Sequence, residues 1–348
     1  MKIAQIAPPW ISVPPRGYGG TEWVVQQLCD GLSARGHQVT LYASGDSTTA
    51  AELRSVFPAQ IPEFMGNSAF EARHSGYAPA DILSRTGERA FDIVHDHSGF
   101  FVVAASALLP LPPVLHTIHS AFDEVTTGFY DQFGRSVAYN AISEYQRSMG
   151  PAGMNWAGVV PNAIDLSMWP LQEEKDDYLL AFGRVCEAKG FHLSIEVARR
   201  TGRRLVMAGA LQPQYADYFH DVIEPELDDQ IVFLGEVGDP RRRELFSNAA
   251  AFLFPILWPE PFGLVMIEAM ATGTPVVAFR NGSVPEVIDD GITGFIVEDV
   301  DQMVEAVGRV HQIDGAACRH AVEERFTVDR LVTDYEALYA RLIAAHGT

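Results

Sequence analysis

The sequence predicts an α/β protein built from two Rossmann-like domains with parallel sheets. Three observations carry this. Short β-rich runs alternate with helical stretches along the chain, the pattern of parallel sheets with crossover helices. The alternation runs twice, with six strands expected in each half. A polar, aperiodic segment containing Pro170, Asp165-Leu-Ser-Met-Trp-Pro-Leu-Gln-Glu-Glu-Lys-Asp-Asp177, separates the halves and reads as a linker. With 348 residues the chain is long enough for two domains.

In the first half the expected strands are residues 2–7, 38–43, 92–95, 113–118, 137–142 and 157–160. The first, Lys2-Ile-Ala-Gln-Ile-Ala7, is too short for a signal peptide, and Pro8-Pro9 and a glycine loop follow directly. It reads as the opening core strand of a cytoplasmic protein. Glycines 17, 19 and 20 then lead into a helix beginning near Thr21. Residues 45–90 form a long interruption with glycine, proline, Phe64, Phe70 and Tyr77 and little periodicity. Loops of this length in a domain are usually functional or disordered, and a functional insertion is the expectation. Ser143 reads as a helix N-cap, and Asn162 as a hinge residue before the linker.

In the second half the expected strands are 178–182, 204–208, 230–234, 251–254, 275–278 and 294–297. Arg241-Arg-Arg243 opens a helix and reads as a solvated face. From Thr327 to Ala345 a helical stripe carries Leu331, Tyr335, Leu338, Tyr339 and Leu342. The expected organisation is one Rossmann-like domain over 1–165, a second over 166–330, and a terminal helix over 331–348. Ligands of open α/β sheets sit beyond the carboxyl ends of the strands, so the cleft between the domains is the expected site.

Composition narrows the function. The chain is 47% hydrophobic and 20% charged, an ordinary globular balance. Cys29, Cys186 and Cys318 are far apart, which argues against a disulfide framework and a structural zinc site. No apolar run reaches the roughly 18–20 residues of a membrane span. The net charge is −20, and residues 1–165 carry 9 basic and 15 acidic side chains against 16 and 30 in the remainder. An acidic surface repels nucleic acid and anionic lipid, so neither nucleic-acid binding nor stable membrane association is expected.

The chemistry-bearing residues cluster at strand ends. The run Trp258-Pro-Glu-Pro-Phe-Gly-Leu-Val-Met-Ile-Glu-Ala-Met-Ala-Thr-Gly273 begins as a loop and becomes an apolar helix, with Glu260 and Glu268 bracketing the change. A buried carboxylate without a partner is unfavourable by several kcal/mol, about the cost of an unpaired buried charge. No basic residue lies within a helical turn of Glu268, and a pair of ligand hydroxyls would serve as its partner. Glu260 lies beside the helix start, where backbone N–H groups attract anions. Gly19 and Gly20 likewise lead into a helix and allow amides to approach phosphate oxygens, with Arg16 a further candidate contact. Arg184 and Lys189 follow the strand ending at Gly183 and can clamp a diphosphate, Arg as a planar fork and Lys as a mobile point charge. Backbone groups of Glu236 and Val237 can meet a nucleobase edge. His95-Asp-His97 and His116-Thr-Ile-His119 end two strands. Residues two apart on a strand share a face, whereas His116 and His119 do not, and nothing completes a metal ligand set.

These segments resemble the retaining glycosyltransferases of family 4, which have the GT-B fold. The carriers of the resemblance are the E-x7-E motif at Glu260 and Glu268, Gly19-Gly-Thr-Glu22, Leu32-Ser-Ala-Arg-Gly-His-Gln-Val-Thr40, Gly183-Arg-Val-Cys-Glu-Ala-Lys-Gly190, Pro275-Val-Val, Gly282-Ser-Val-Pro-Glu286 and Gly291-Ile-Thr-Gly-Phe295, in that family's order. The resemblance implies two Rossmann-like domains, an N-terminal acceptor-side domain over 1–165 and a C-terminal nucleotide-sugar-binding domain over 166–330, with the C-terminal helix crossing back to the first; an acceptor-binding role is then the expectation for the insertion 45–90. It implies transfer of a sugar from a nucleoside-diphosphate sugar, UDP first and GDP next, to a hydroxyl of a soluble acceptor, by same-face displacement without a metal or other cofactor. Arg184 and Lys189 would stabilise the leaving diphosphate and Glu260 the donor-sugar hydroxyls. Glu268 would hold the ribose, and the amides of Phe262, Gly263 and Leu264 would orient sugar and diphosphate. His119 would lie near the reacting centre, with His95 and His97 as weaker candidates. A sugar-nucleotide epimerase on a related scaffold, or a non-catalytic sugar-nucleotide-binding subunit, is the alternative.

Overall fold

The β-branched and aliphatic runs become short parallel strands of three to five residues, thirteen of them among the described residues. The structure is a computed structural model describing residues 1–17 and 19–346. Its chain divides into two units, Met1–Asn162 with the helix Val328–His346, and Ala163–Thr327.

The first unit holds β1 (Lys2–Ile6), β2 (Gln38–Tyr42), β3 (Glu52–Arg54), β4 (Ile93–Asp96), β5 (Val114–Thr117), β6 (Ala138–Ala141) and β7 (Trp156–Val159), in the sheet order β3-β2-β1-β4-β5-β6-β7. The second holds β8 (Tyr178–Phe182), β9 (Arg204–Ala208), β10 (Ile231–Phe233), β11 (Ala251–Phe254), β12 (Val276–Phe279) and β13 (Gly294–Val297), in the order β10-β9-β8-β11-β12-β13. All pairings are parallel. Helices cover both faces of such sheets, so central strands such as Val276–Phe279 are buried throughout rather than alternating. Strand order reverses between β1 and β4 in one sheet and between β8 and β11 in the other. These are the switch points beyond which open sheets bind ligands.

Each of the twelve expected strands is present, with ends displaced by no more than one residue. The segment 45–90, a long interruption with little periodicity in the sequence, carries regular structure. It contains β3 on the sheet edge, a 3₁₀ turn Pro62–Phe64 and a 17-residue helix, Ser68–Ser84, capped by Asn67. Gly76 and Pro79 lie inside that helix and hide its periodicity. It nevertheless buries Ala78, Pro79 and Ile82, and His74 reaches the Ala7 carbonyl oxygen at 2.9 Å. Tertiary packing here overrides local propensity.

The linker candidate is anchored rather than loose. Lys175 donates to the carbonyl oxygens of Ser247 and Thr272 and to the Thr274 hydroxyl at 2.7, 2.8 and 2.9 Å. The terminal helix belongs to the first unit and buries Leu331, Val332, Tyr335, Leu338 and Tyr339. Val332 packs where Gly31 leaves room on the helix Gly20–Ala34; a Cβ at Gly31 would lie 2.5 Å from a Val332 methyl group. Two further close approaches shape the second sheet. A Cβ at Gly209 would lie 1.6 Å from the Gly183 carbonyl oxygen, and one at Gly190 would lie 2.2 Å from that of Pro255. Among the described residues, no helix is long and apolar enough to cross a membrane.

Candidate functional site

At the switch point of the second sheet, the chain leaving β8 meets the chain leaving β11. Gly183 ends the first and Arg184 follows it, half-buried, with its guanidinium 5.8 Å from the Tyr215 ring and its buried Nε without a hydrogen-bond partner. A 3₁₀ turn, Glu187–Lys189, carries Lys189 and closes on Gly190, whose φ of 68° is left-handed. The Leu257 amide donates to the Ala188 carbonyl at 2.9 Å and ties the two loops together.

This joint brings Lys189 to Glu260, with Nζ to Oε2 at 2.5 Å. The indole Nε1 of Trp258 donates to the same oxygen at 2.9 Å, and the ammonium lies 5.2 and 5.5 Å from the Trp258 and Phe254 rings. Glu260 is buried, and its carbonyl accepts from the Ser283 amide at 2.9 Å. Gly282 makes room for that contact, because a Cβ there would lie 2.3 Å from the Glu260 carbonyl oxygen. Phe262 is buried, and Gly263, at φ 82°, starts the helix Leu264–Ala271. The first amides of such a helix have no intrahelical acceptor and favour an anion or a polar oxygen.

Glu268, on that helix, is not waiting for hydroxyls alone. Arg242 Nη2 contacts both of its oxygens at 2.5 Å. The expectation of a solvated Arg241–Arg243 face is therefore corrected at its middle residue. Arg241 and Glu244 form an exposed pair, whereas Arg242 turns inward between the rings of Trp169 and Phe182 at 5.7 and 5.2 Å. Burial pushes the Glu268 carboxyl above its usual range, and the charge and hydrogen bonds of Arg242 oppose that. The partner lies 26 residues away, on the preceding helix, which a search within one helical turn does not reach. Glu236 is exposed and Val237 half-buried in the loop after β10, and the Gly235 carbonyl accepts from the Gly209 amide at 2.9 Å.

In the first unit, Gly19 precedes the helix Gly20–Ala34 with φ 158°; a Cβ there would lie 2.7 Å from Pro15 and 2.8 Å from Glu22 Oε2. Burial raises the Glu22 carboxyl to about 7, against a hydrogen bond to its own backbone. Arg16 is exposed and pairs with Asp46 at 3.2 Å. The histidines at the ends of β4 and β5 separate into two sets. His116 Nδ1 faces Asp96 at 2.6 Å and its Nε2 faces the Tyr130 hydroxyl at 3.0 Å. His119 Nε2 faces His97 Nδ1 at 2.9 Å, and His97 Nε2 faces Gln5 Oε1 at 2.9 Å. His95, stacked 3.9 Å from His97, joins the hydroxyls of Tyr339 and Thr117 at 2.6 and 2.7 Å. Burial, reinforced by His116, holds His119 down to about 3, and burial likewise depresses His95 and His97. Among the described residues, no group of three or more His, Cys, Asp or Glu side chains is placed to hold a metal ion.

Sequence reasoning passed over Arg242, Trp258, Gln5 and the hydroxyls of Tyr335 and Tyr339. Only the tyrosines left a signal, a pair four residues apart on an otherwise apolar stripe.

Two family models match in tandem, Glycosyltransferase Family 4 over residues 18–167 and Glycosyl transferases group 1 over 165–321. An uncharacterized glycosyltransferase of Methanocaldococcus jannaschii is 25% identical, with 89% of each chain covered. Among solved structures, AviGT4, a glycosyltransferase involved in avilamycin A biosynthesis, is 29% identical with a TM-score of 0.74, over 99% of this chain and 98% of that one. Anabaena HepE, solved in complex with UDP and glucose, is 17% identical with a TM-score of 0.74, over 98% and 99%. At that identity it shows a shared fold.

The Arg242–Glu268 pair yields a direct test. Arg242→Gln strands a buried carboxylate and is expected to lower the unfolding free energy by about 3 kcal/mol. Adding Glu268→Gln removes the stranded charge and recovers part of the loss, so a urea-unfolding double-mutant cycle should give a coupling above about 1 kcal/mol. Additive single-variant effects would show that the two side chains do not support each other.

Proposed function

We infer, for a chain that belongs to the family 4 glycosyltransferases and has the GT-B fold, that its reaction is retaining transfer of a sugar from a nucleoside-diphosphate sugar to an acceptor hydroxyl. The observation that carries this reading is the meeting of Lys189, Glu260 and Trp258 at the β8–β11 switch point, with Arg184 on the same loop as Lys189. The bond from the anomeric carbon to the diphosphate breaks, and negative charge grows on the diphosphate oxygens. Arg184 and Lys189 are assigned to that charge, in a site where fixed cations act more strongly than in water. The acceptor hydroxyl attacks from the same face and passes its proton to the departing diphosphate. Positioning and charge stabilisation then do the work of a covalent nucleophile.

Glu260 is assigned to donor-sugar hydroxyls and Glu268 to ribose hydroxyls. A carboxylate offers about four lone-pair sites, so contact with one nitrogen of Arg242 leaves Glu268 able to accept from hydroxyls. The amides of Phe262, Gly263 and Leu264 are assigned to orienting sugar and diphosphate, and Glu236 and Val237 to the nucleobase. In the first unit, Gly19, Gly20 and His119 are assigned to the donor and Arg16 to donor or acceptor, with His95 and His97 acting behind His119. UDP is the first nucleotide to test and GDP the second. The acidic first half favours a soluble small-molecule or saccharide acceptor over an anionic surface or nucleic acid.

Titration calorimetry with UDP, GDP, ADP and dTDP should find one that binds; four failures on folded protein would remove the reading. Arg184→Ala should weaken the diphosphate more than the nucleoside, by about 1.5–3 kcal/mol for one charge-assisted contact. Turnover should persist in excess EDTA, and loss reversed by one divalent ion would assign a metal. Glu268→Gln should weaken free diphosphate and donor together. Glu260→Gln should spare diphosphate binding and lower kcat, because its partner ring gains positive charge only as the bond breaks. The opposite pattern would exchange the two roles.

A further inference from the structure

Glu260 is held by two donors on one of its oxygens. Lys189 Nζ lies 2.5 Å from Oε2, and the indole Nε1 of Trp258 donates to the same oxygen at 2.9 Å. The groups themselves set the sense of both bonds, since an ammonium and an indole N–H only donate and an ionised carboxylate only accepts. Each carboxylate oxygen has about two lone-pair sites, so Oε2 is filled. Oε1 has no protein partner among the described residues. The Trp258 ring also lies 5.2 Å from the Lys189 ammonium, within cation–π reach. One side chain therefore touches both members of the ion pair, Glu260 through its N–H and Lys189 through its ring.

The two donors differ in their freedom to move. Lys189 carries a compact charge on a flexible four-carbon stem with rotatable N–H groups. It can swing towards phosphate oxygens as negative charge grows on them. Trp258 stands on a stiffer support. The Leu257 amide just before it is bonded to the Ala188 carbonyl at 2.9 Å, and Pro259 just after it has a φ locked by its ring. An indole side chain has only two χ angles to spend. Trp258 and Glu260 flank Pro259 and point to the same side of the segment, which their hydrogen bond requires. When Lys189 turns to a diphosphate, the indole N–H is the contact left to hold Oε2 where it is.

We propose that Trp258 is a positioning residue that anchors Glu260 through Oε2 while Lys189 engages the diphosphate, so that the carboxylate presents Oε1 alone to a single hydroxyl of the donor sugar. The roles of Glu260 at the sugar and Lys189 at the diphosphate belong to the reading above, and the assignment of Trp258 rests on it. The sugar contact is thereby narrowed. A carboxylate with both oxygens open takes a vicinal diol, one hydroxyl on each oxygen, whereas this one takes one hydroxyl. An indole N–H is neutral, so it fixes the direction of the carboxylate without cancelling the charge that favours a sugar ring turning positive in the transition state.

Two replacements separate the N–H from the ring. Trp258→Phe removes the N–H and shortens the ring. Site-specific insertion of β-(3-benzothienyl)alanine at position 258 keeps the bicyclic shape and puts sulfur in place of the N–H, which also covers the case in which Trp258→Phe fails to fold. Both should lower kcat about tenfold, the rate equivalent of one hydrogen bond to a charged group at the weak end of its range. Calorimetric affinity for the nucleoside diphosphate should stay unchanged. In a Glu260→Ala background neither replacement should lower kcat further, because Trp258 acts through Glu260. Among donors that each lack one sugar hydroxyl, a single position should matter to the unaltered protein and not to Glu260→Ala. The indole ¹H–¹⁵N signal of Trp258, assigned with Trp258→Phe, should keep its hydrogen-bonded shift when the nucleoside diphosphate is added and lose it in Glu260→Ala. Unchanged kcat with the benzothienyl side chain, an equal further loss in the Glu260→Ala background, two or more sugar positions that depend on Glu260, or an indole signal released by the diphosphate would each overturn the proposal while leaving the glycosyltransferase reading in place. Failure of every nucleoside diphosphate to bind the unaltered protein marks failure of that reading, and the role of Trp258 falls with it.

Discussion

A parallel sheet covered by helices on both faces leaves reactive side chains one main place to stand, the carboxyl edge, and Arg184, Lys189, Glu260 and His119 all follow strands there. Strands such as Val276–Phe279 and Ile93–Asp96 are buried along their whole length. Their side chains cannot face a ligand until the chain leaves the sheet. Arg184 and Glu260 follow strands that flank one reversal of strand order, and Gly19 and His97 follow strands that flank the other. The backbone at these exits is held by close contacts only glycine permits, Gly190 against Pro255 and Gly282 against Glu260. The loops are therefore rigid where rigidity positions charge, which is what catalysis by pre-placed dipoles and cations requires.

Most of the architecture was legible in the sequence because it depends on local signals. Continuous apolar runs marked the strands, and glycines marked the exits. The helix Ser68–Ser84 was not legible, since Gly76 and Pro79 interrupt its pattern and its burial comes from packing on neighbours distant in sequence. The site divided along the same line. Glu260 and Glu268 stood out as carboxylates in an apolar setting, and that reasoning correctly required a partner for Glu268. The partner's identity was a question of tertiary structure. Arg242 belongs to a run that looks solvated when read alone, and only the approach of two helices turns its middle member inward.

The two units satisfy buried polarity in different ways. The second pairs opposite charges, Lys189 with Glu260 and Arg242 with Glu268, and surrounds the cations with aromatic faces. The first uses almost no charge at its centre. Its histidines, tyrosines and one amide are linked by neutral hydrogen bonds, and Asp96 is met by His116 and by the Ser98 amide and hydroxyl. Such networks are costly when half-satisfied, which explains why a terminal helix otherwise devoted to packing carries two tyrosine hydroxyls inward.

The Lys189–Glu260 contact has a consequence for selectivity. An ammonium and a carboxylate in contact neutralise each other, so each is unavailable to a visitor that can replace only one of them. An inorganic anion drawing Lys189 away would strand Glu260, and a free sugar engaging Glu260 would leave the lysine to be rehydrated. A molecule that presents phosphate oxygens and hydroxyls together, at the right separation, compensates both at once. On the proposed assignments of Lys189 to diphosphate and Glu260 to sugar hydroxyls, the ion pair acts as a logical conjunction, opening fully only to a ligand that carries both chemistries on one covalent frame.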